Sequence, residues 1–112
     1  MPLLKIETNI KIENRYDILK KLSGLTASLT AKPEKWVMVS LIHNPDMLFG
    51  GKSDPLVYVE FKSIGLPEQK TAEISSGLME FLKKEISVLP ERIYIEFSNA
   101  RPEMWGWNNN TF

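Results

Sequence analysis

The sequence predicts an α+β fold, a two-layer α/β sandwich in which two βαβ repeats build a four-stranded mixed sheet with two helices on one face. The first observation behind this is an internal repeat. Pro2-Leu3-Leu4-Lys5-Ile6-Glu7 returns as Pro55-Leu56-Val57-Tyr58-Val59-Glu60-Phe61, and Lys32-Pro33-Glu34-Lys35-Trp36-Val37-Met38-Val39 returns as Leu89-Pro90-Glu91-Arg92-Ile93-Tyr94-Ile95-Glu96. The second is a helical apolar pattern between the two members of each pair. The third is size: 112 residues at 43% hydrophobic suit one domain, residues 1–112, whose pseudo-repeat halves at about 1–50 and 51–112 share one core.

Each element has a local cause. The opening strand starts at Pro2 and runs through alternating residues. The first helix takes Asn14 as N-cap with Asp17 in its first turn, and Leu19, Leu22, Leu25 and Leu29 form its apolar face. Pro33 pushes Lys32 out of helical geometry just before the second strand, and Pro90 does the same to Leu89. Pro67 and Glu68 open the second helix, with Ile74, Leu78, Phe81, Leu82 and Ile86 as its stripe. Gly77 inside that helix costs about 1 kcal/mol in propensity, so close packing is expected there. A loop through Asn44-Pro45-Asp46 and Gly50-Gly51 joins the halves. Right-handed crossovers make the strands within each half parallel. Two helices cover one sheet face only, and the other carries Leu3, Leu56, Tyr58 and Tyr94 among Lys5, Glu7, Glu60 and Glu96. That half-apolar face predicts a homo-oligomer.

Composition excludes several classes. Lys+Arg and Asp+Glu both number 14, so the formal net charge is +0 and no bulk field draws nucleic acid or a membrane surface. With no cysteine there is no disulfide, thiol catalysis or cysteine metal site. The single histidine, His43, reads as a strand-end residue, so no metal site is expected. Gly51-Lys52-Ser53 lacks the upstream glycine of a phosphate loop, because position 46 is Asp. Asn109-Asn110-Thr111 fits the glycosylation pattern, but the quickly polar start is no secretion signal and no apolar run reaches membrane length. The expectation is a cytoplasmic protein, with any secretion by a leaderless route.

Pro2 is the residue with latent chemistry. Behind Met1 its nitrogen is a tertiary amide; with Met1 removed it is a secondary amine, a candidate general base. Burial in an apolar pocket would lower its pKa. A base works best when its pKa lies near the working pH.

The whole chain resembles the macrophage migration inhibitory factor family of the tautomerase superfamily. The residues that carry the resemblance are Met1-Pro2 and the apolar strand behind it, Thr8-Asn9, Lys32-Pro33 leading into Val37-Met38-Val39, Phe49-Gly50-Gly51 and Ser63-Ile64-Gly65. Arg92-Ile93-Tyr94-Ile95 and the tail Gly106-Trp107-Asn108-Asn109-Asn110-Thr111-Phe112 complete it. The resemblance implies the tautomerase fold, a homotrimer with active sites at subunit interfaces, and no cofactor. It implies keto–enol tautomerisation of phenylpyruvate-like 2-oxo acids and dopachrome-type substrates. By the same resemblance Pro2 is the catalytic base and Lys32 the cation that holds the substrate carboxylate or carbonyl oxygen. Ile64 is the residue whose backbone amide contacts the acidic end, and Tyr94 of a neighbouring subunit is a pocket wall and hydrogen-bond donor. Trp107 and Phe112 are the aromatic lining.

Departures from the family pattern bear on substrate. Glu96 stands where better-known members carry asparagine, and a carboxylate there would repel an anionic substrate or offset Lys32. Trp105 replaces a small aliphatic residue and adds stacking surface. Lys62 replaces a frequent histidine. The cysteine pair of some members is absent from Leu56-Val57-Tyr58-Val59, which excludes a thiol-redox activity based on it. The rival reading is a cytokine-like module that binds a receptor or another protein and keeps the pocket as a relic. A second rival, decarboxylation or hydration of a small oxo acid, calls for extra arginines, and Arg101 is the only one near the tail.

Overall fold

The computed structural model describes residues Met1–Phe112. Strand β1 (Leu3–Thr8) buries Leu4, Ile6 and Thr8 and turns Leu3, Lys5 and Glu7 outward, as period-2 alternation demands. Helix α1 (Arg15–Thr30) leads to β2 (Met38–His43) through a 3-10 turn at Glu34–Trp36. Strand β3 (Val57–Ile64) buries Val57, Val59, Phe61 and Ser63, and helix α2 (Thr71–Ile86) connects it to β4 (Ile93–Ala100). The sheet order is β2-β1-β3-β4. Each half is a parallel pair, and the halves meet antiparallel through β1 and β3, with Leu3 opposite Lys62 and Lys5 opposite Glu60. Both helices pack on one face over a core centred on Leu4, Ile6, Leu22, Phe61, Leu78 and Val88. No helix is long and apolar enough to cross a membrane.

Several expectations are met and several are adjusted. A Cβ on Gly77 would stand 2.8 Å from Leu29 Cδ2, so the glycine lets α1 and α2 approach closely. Asn14 occupies the cap position of α1 without a side-chain cap bond. The fully buried line of α1 is Ile18, Leu22 and Thr26; Leu19, Leu25 and Leu29 flank it, partly buried, because the helix also faces α2. Pro67 and Glu68 open a 3-10 turn at Glu68–Lys70 that runs into α2. His43 ends β2 and is exposed.

Leu56 departs from the uncovered-face expectation, being only 3% exposed. It precedes β3 and is tied down by the buried Thr8, whose hydroxyl donates to the Leu56 carbonyl at 2.8 Å. Phe49 and Tyr94 line a recess with it. The loop above is pinned by Arg92, whose guanidinium donates to the carbonyls of Phe49, Lys52 and Asp54. Gly50 and Gly51 form its tight turn with φ of 61° and 75°.

The remaining outer face keeps its mixed character. Tyr94 is 66% exposed and Met38 67% exposed, and Glu60 lies directly opposite Glu96 across β3 and β4. Strands β2 and β4 end the sheet with unpaired edges. One element was not expected, a small hairpin of β5 (Gly106–Trp107) and β6 (Asn110–Thr111). Asn108 and Asn109 turn it with φ of 51° and 62°, the left-handed pair that a two-residue hairpin of this type requires.

Candidate active site

Backbone geometry at the N-terminus fixes the site's floor. Pro2 is buried, and its carbonyl accepts the Met38 N–H at 3.0 Å, locking the chain start to the head of β2. Helix α1 ends at Ala31 in left-handed geometry (φ 54°), which turns the chain sharply before Lys32 and Pro33. The Lys32 ammonium then donates to the Ile64 carbonyl at 2.7 Å. Ile64 is the last residue of β3, and Gly65 follows with φ 66°.

The terminal amine of Met1 sits against that ammonium. Burial first, and then the charge and hydrogen bonding of Lys32, push its pKa from 8.0 down to about 6. Beside it opens a cavity of about 560 Å³, within the range of small-molecule sites. Met1, Pro2 and Leu3 line one side of this cavity. The 3-10 turn Glu34–Trp36 supplies Trp36, and the β5–β6 hairpin supplies Trp107. Trp36 meets Trp107 edge-on at 4.8 Å and Phe112 edge-on at 5.5 Å, while Trp107 stacks on Phe112 at 5.4 Å. A bond from the Phe112 N–H to the Trp105 carbonyl holds the tail closed at 3.2 Å. Trp105 and Met104 complete the wall.

The sequence-derived residues thus divide into two sets. Pro2, Lys32 and Ile64 come together at the N-terminus, and Trp105, Trp107 and Phe112 share the cavity with Pro2. Lys32 itself lines a smaller recess of about 120 Å³ with Ser63 and Lys70; its link to the cavity runs through the terminal amine. Tyr94 and Glu96 lie on the uncovered face instead. Tyr94 packs on Phe49 at 4.6 Å, and Glu96 accepts a bond from the Tyr58 hydroxyl at 3.4 Å. Desolvation, followed by the Glu96 and Glu60 carboxylates, holds that hydroxyl above its ordinary pKa. Within one chain neither residue reaches the cavity. No group of three His, Asp or Glu gathers to hold a metal.

The sequence model described as "Macrophage migration inhibitory factor (MIF)" matches residues 1–112, the entire chain. The chain belongs to the MIF family. This family sits in the tautomerase superfamily, and its curated members align end to end with this chain. A MIF homolog of Brugia malayi is 33% identical, covering 100% of this chain and 99% of its own. The Trichinella spiralis homolog is 31% identical, with 100% of both chains covered. Among solved structures, the MIF homologue from Prochlorococcus marinus superposes with a TM-score of 0.93 at 37% identity, covering 98% of each chain. MIF from Trichinella spiralis gives a TM-score of 0.92 at 28% identity, over 98% of this chain and 99% of its own.

Nine cavity residues of this MIF-family chain were not among the sequence-derived site residues, among them Lys35, Trp36, Met38, Lys62 and Met104. Trp36 had a signal, since a tryptophan directly after a Pro-Glu-Lys turn is a large apolar group placed outside both helical stripes. Lys35 and Met104 had none, because the facing of a short 3-10 turn is not readable from periodicity; Met38 heads β2, and its place beside the cavity depends on its pairing with Leu3.

Proposed function

We propose that this protein is a keto–enol tautomerase of phenylpyruvate-like 2-oxo acids and dopachrome-type substrates, with the Pro2 nitrogen as general base after Met1 is removed. The observation that carries this reading is the terminal amine, held to a pKa of about 6 by burial and Lys32 at the edge of an aromatic cavity. Removal of Met1 moves the free amine onto the buried Pro2, one residue deeper into the same setting.

The chemistry follows from that placement. Lys32 holds the substrate carboxylate or carbonyl oxygen. The neutral proline nitrogen takes the proton from the carbon α to the carbonyl, the C–H electron pair becomes the new C=C bond, and the carbonyl π pair moves onto oxygen. Negative charge grows on that oxygen next to a fixed ammonium, where preorganised electrostatics count most. The prolinium then returns its proton to oxygen to give the enol, and the reverse sequence gives the keto form. No redox partner is consumed. Ile64 sits at the acidic end of the substrate, and Trp105, Trp107 and Phe112 receive its aromatic body.

A homotrimer completes the reading. Two open sheet edges and an outer face bearing Tyr94, Met38 and Ile42 favour burial against further copies. Glu60 opposite Glu96 is a like-charge pair that a neighbouring chain's cation would relieve. Assembly would also carry Tyr94 and Glu96 from one subunit toward a neighbour's cavity. Light scattering should give three times the chain mass of 12.9 kDa. The reading itself is tested by comparing turnover of enol-phenylpyruvate by protein with and without Met1: only the latter should react.

A further inference from the structure

We propose that the cavity takes a substrate with two anionic groups, and that Lys35 and Lys62 read the second one. This rests on the tautomerase reading and names its substrate class: an aromatic 2-oxo acid bearing an additional carboxylate beyond the one Lys32 engages.

The charge pattern of the wall carries the argument. Of the 13 residues that one chain contributes to the cavity 9 are hydrophobic, and their charged side chains are Lys35 and Lys62 alone; a Glu96 carried in from a neighbouring subunit offsets one of the three cations, Lys32 included, and leaves a net surplus. A substrate with one anionic end is already served by Lys32, which lies outside that wall. Two further ammonium groups on an apolar wall are therefore surplus to a simple phenylpyruvate.

Lys35 has no carboxylate partner, and Lys62 has only a long one. Lys35 forms no ion pair; its Nζ stands 5.1 Å over the ring of Trp36, which is itself wedged against Trp107 and Phe112. A cation–π contact of this kind positions the ammonium without neutralising it. Lys62 faces Leu3 across the sheet and meets Glu60 only at 3.9 Å, with 45% of its side chain exposed. So long and exposed a pair contributes little, and an incoming carboxylate displaces it at small cost.

All three tryptophans of the chain line this cavity, so intrinsic fluorescence reports its occupancy. The protein freed of Met1 is titrated with benzoate and with benzene-1,4-dicarboxylate. The expected result is about tenfold tighter binding of the dicarboxylate at low salt, in line with a charge-assisted contact. That gap should narrow as salt is added. It should fall to about onefold in the Lys35→Met, Lys62→Met double variant. Equal affinities in the native protein, no quenching by either ligand, or a gap that survives the double substitution overturns the proposal. Phenylpyruvate turnover is read separately. Turnover with equal affinities removes only the second anion, and a tenfold gap without turnover removes only the tautomerase reading.

Discussion

Lys32 Nζ donates to the carbonyl of Ile64 at 2.7 Å while the same ammonium presses on the terminal amine. One hydrogen bond thereby fixes a flexible side chain and leaves two of its three donors for other partners. The strand-end carbonyl of β3 acts as a peg that aims the cation at the N-terminus.

Replacing this cation tests its role in rate. Lys32→Met should lower kcat/KM for phenylpyruvate by about 100- to 1,000-fold, the usual cost of removing one preorganised donor from a developing oxyanion. Stability should change by only about 1 kcal/mol, since a single half-buried hydrogen bond is lost. Steady-state kinetics beside urea unfolding separates the two. A tenfold loss or less would remove Lys32 from the reacting centre.

The pH profile carries the second prediction. The neutral Pro2 amine is the active base. Burial and then Lys32 lower the Met1 amine from 8.0 to about 6 in this setting, and the same two causes act on the Pro2 nitrogen once Met1 is gone. Activity should therefore rise at a pH below the ordinary range of a free terminal amine and level above it. In Lys32→Met the rise should move to higher pH, because the charge that opposes protonation is gone. It should stop short of the ordinary value, since burial is the larger cause and remains. A native profile that rises near pH 8, or one that Lys32→Met leaves in place, contradicts this.

Much of the fold was legible because the repeat and the two prolines mark strand starts without reference to tertiary structure. Pro33 precedes a 3-10 turn and Pro90 opens one, and each turn leads into a strand. The antiparallel meeting of β1 with β3 was not written locally, since each half specifies only its own parallel pair. Nor was the burial of Leu56, which depends on Thr8 and Asn9 binding its backbone from 48 and 47 residues away. The tail hairpin has a signal in Asn108-Asn109, since asparagine tolerates the left-handed geometry that both adopt. At the site, Pro2 is legible from its own chemistry, and Lys32 and Ile64 through the family resemblance. Their meeting depends on the Ala31 turn and the end of β3, which no motif spells out.

Helix packing gives a third prediction. Gly77→Ala should gain less than the about 1 kcal/mol that helix propensity offers, because its Cβ would displace Leu29, 2.8 Å away. In a Leu29→Ala background the same substitution should recover the full gain. Urea unfolding of the four proteins of this double-mutant cycle measures the coupling. Identical effects of Gly77→Ala in both backgrounds would show that the helices do not meet there.

The most direct test of the central claim is enol-to-keto conversion of phenylpyruvate by protein whose mass confirms loss of Met1, beside a Pro2→Gly variant. The variant keeps a terminal amine and removes the ring that presents a secondary nitrogen at a fixed angle. The account predicts ready turnover that falls by at least about 100-fold in Pro2→Gly, as general-base catalysis requires. Turnover no faster than the variant's, with the Pro2 nitrogen shown to be free, would contradict it.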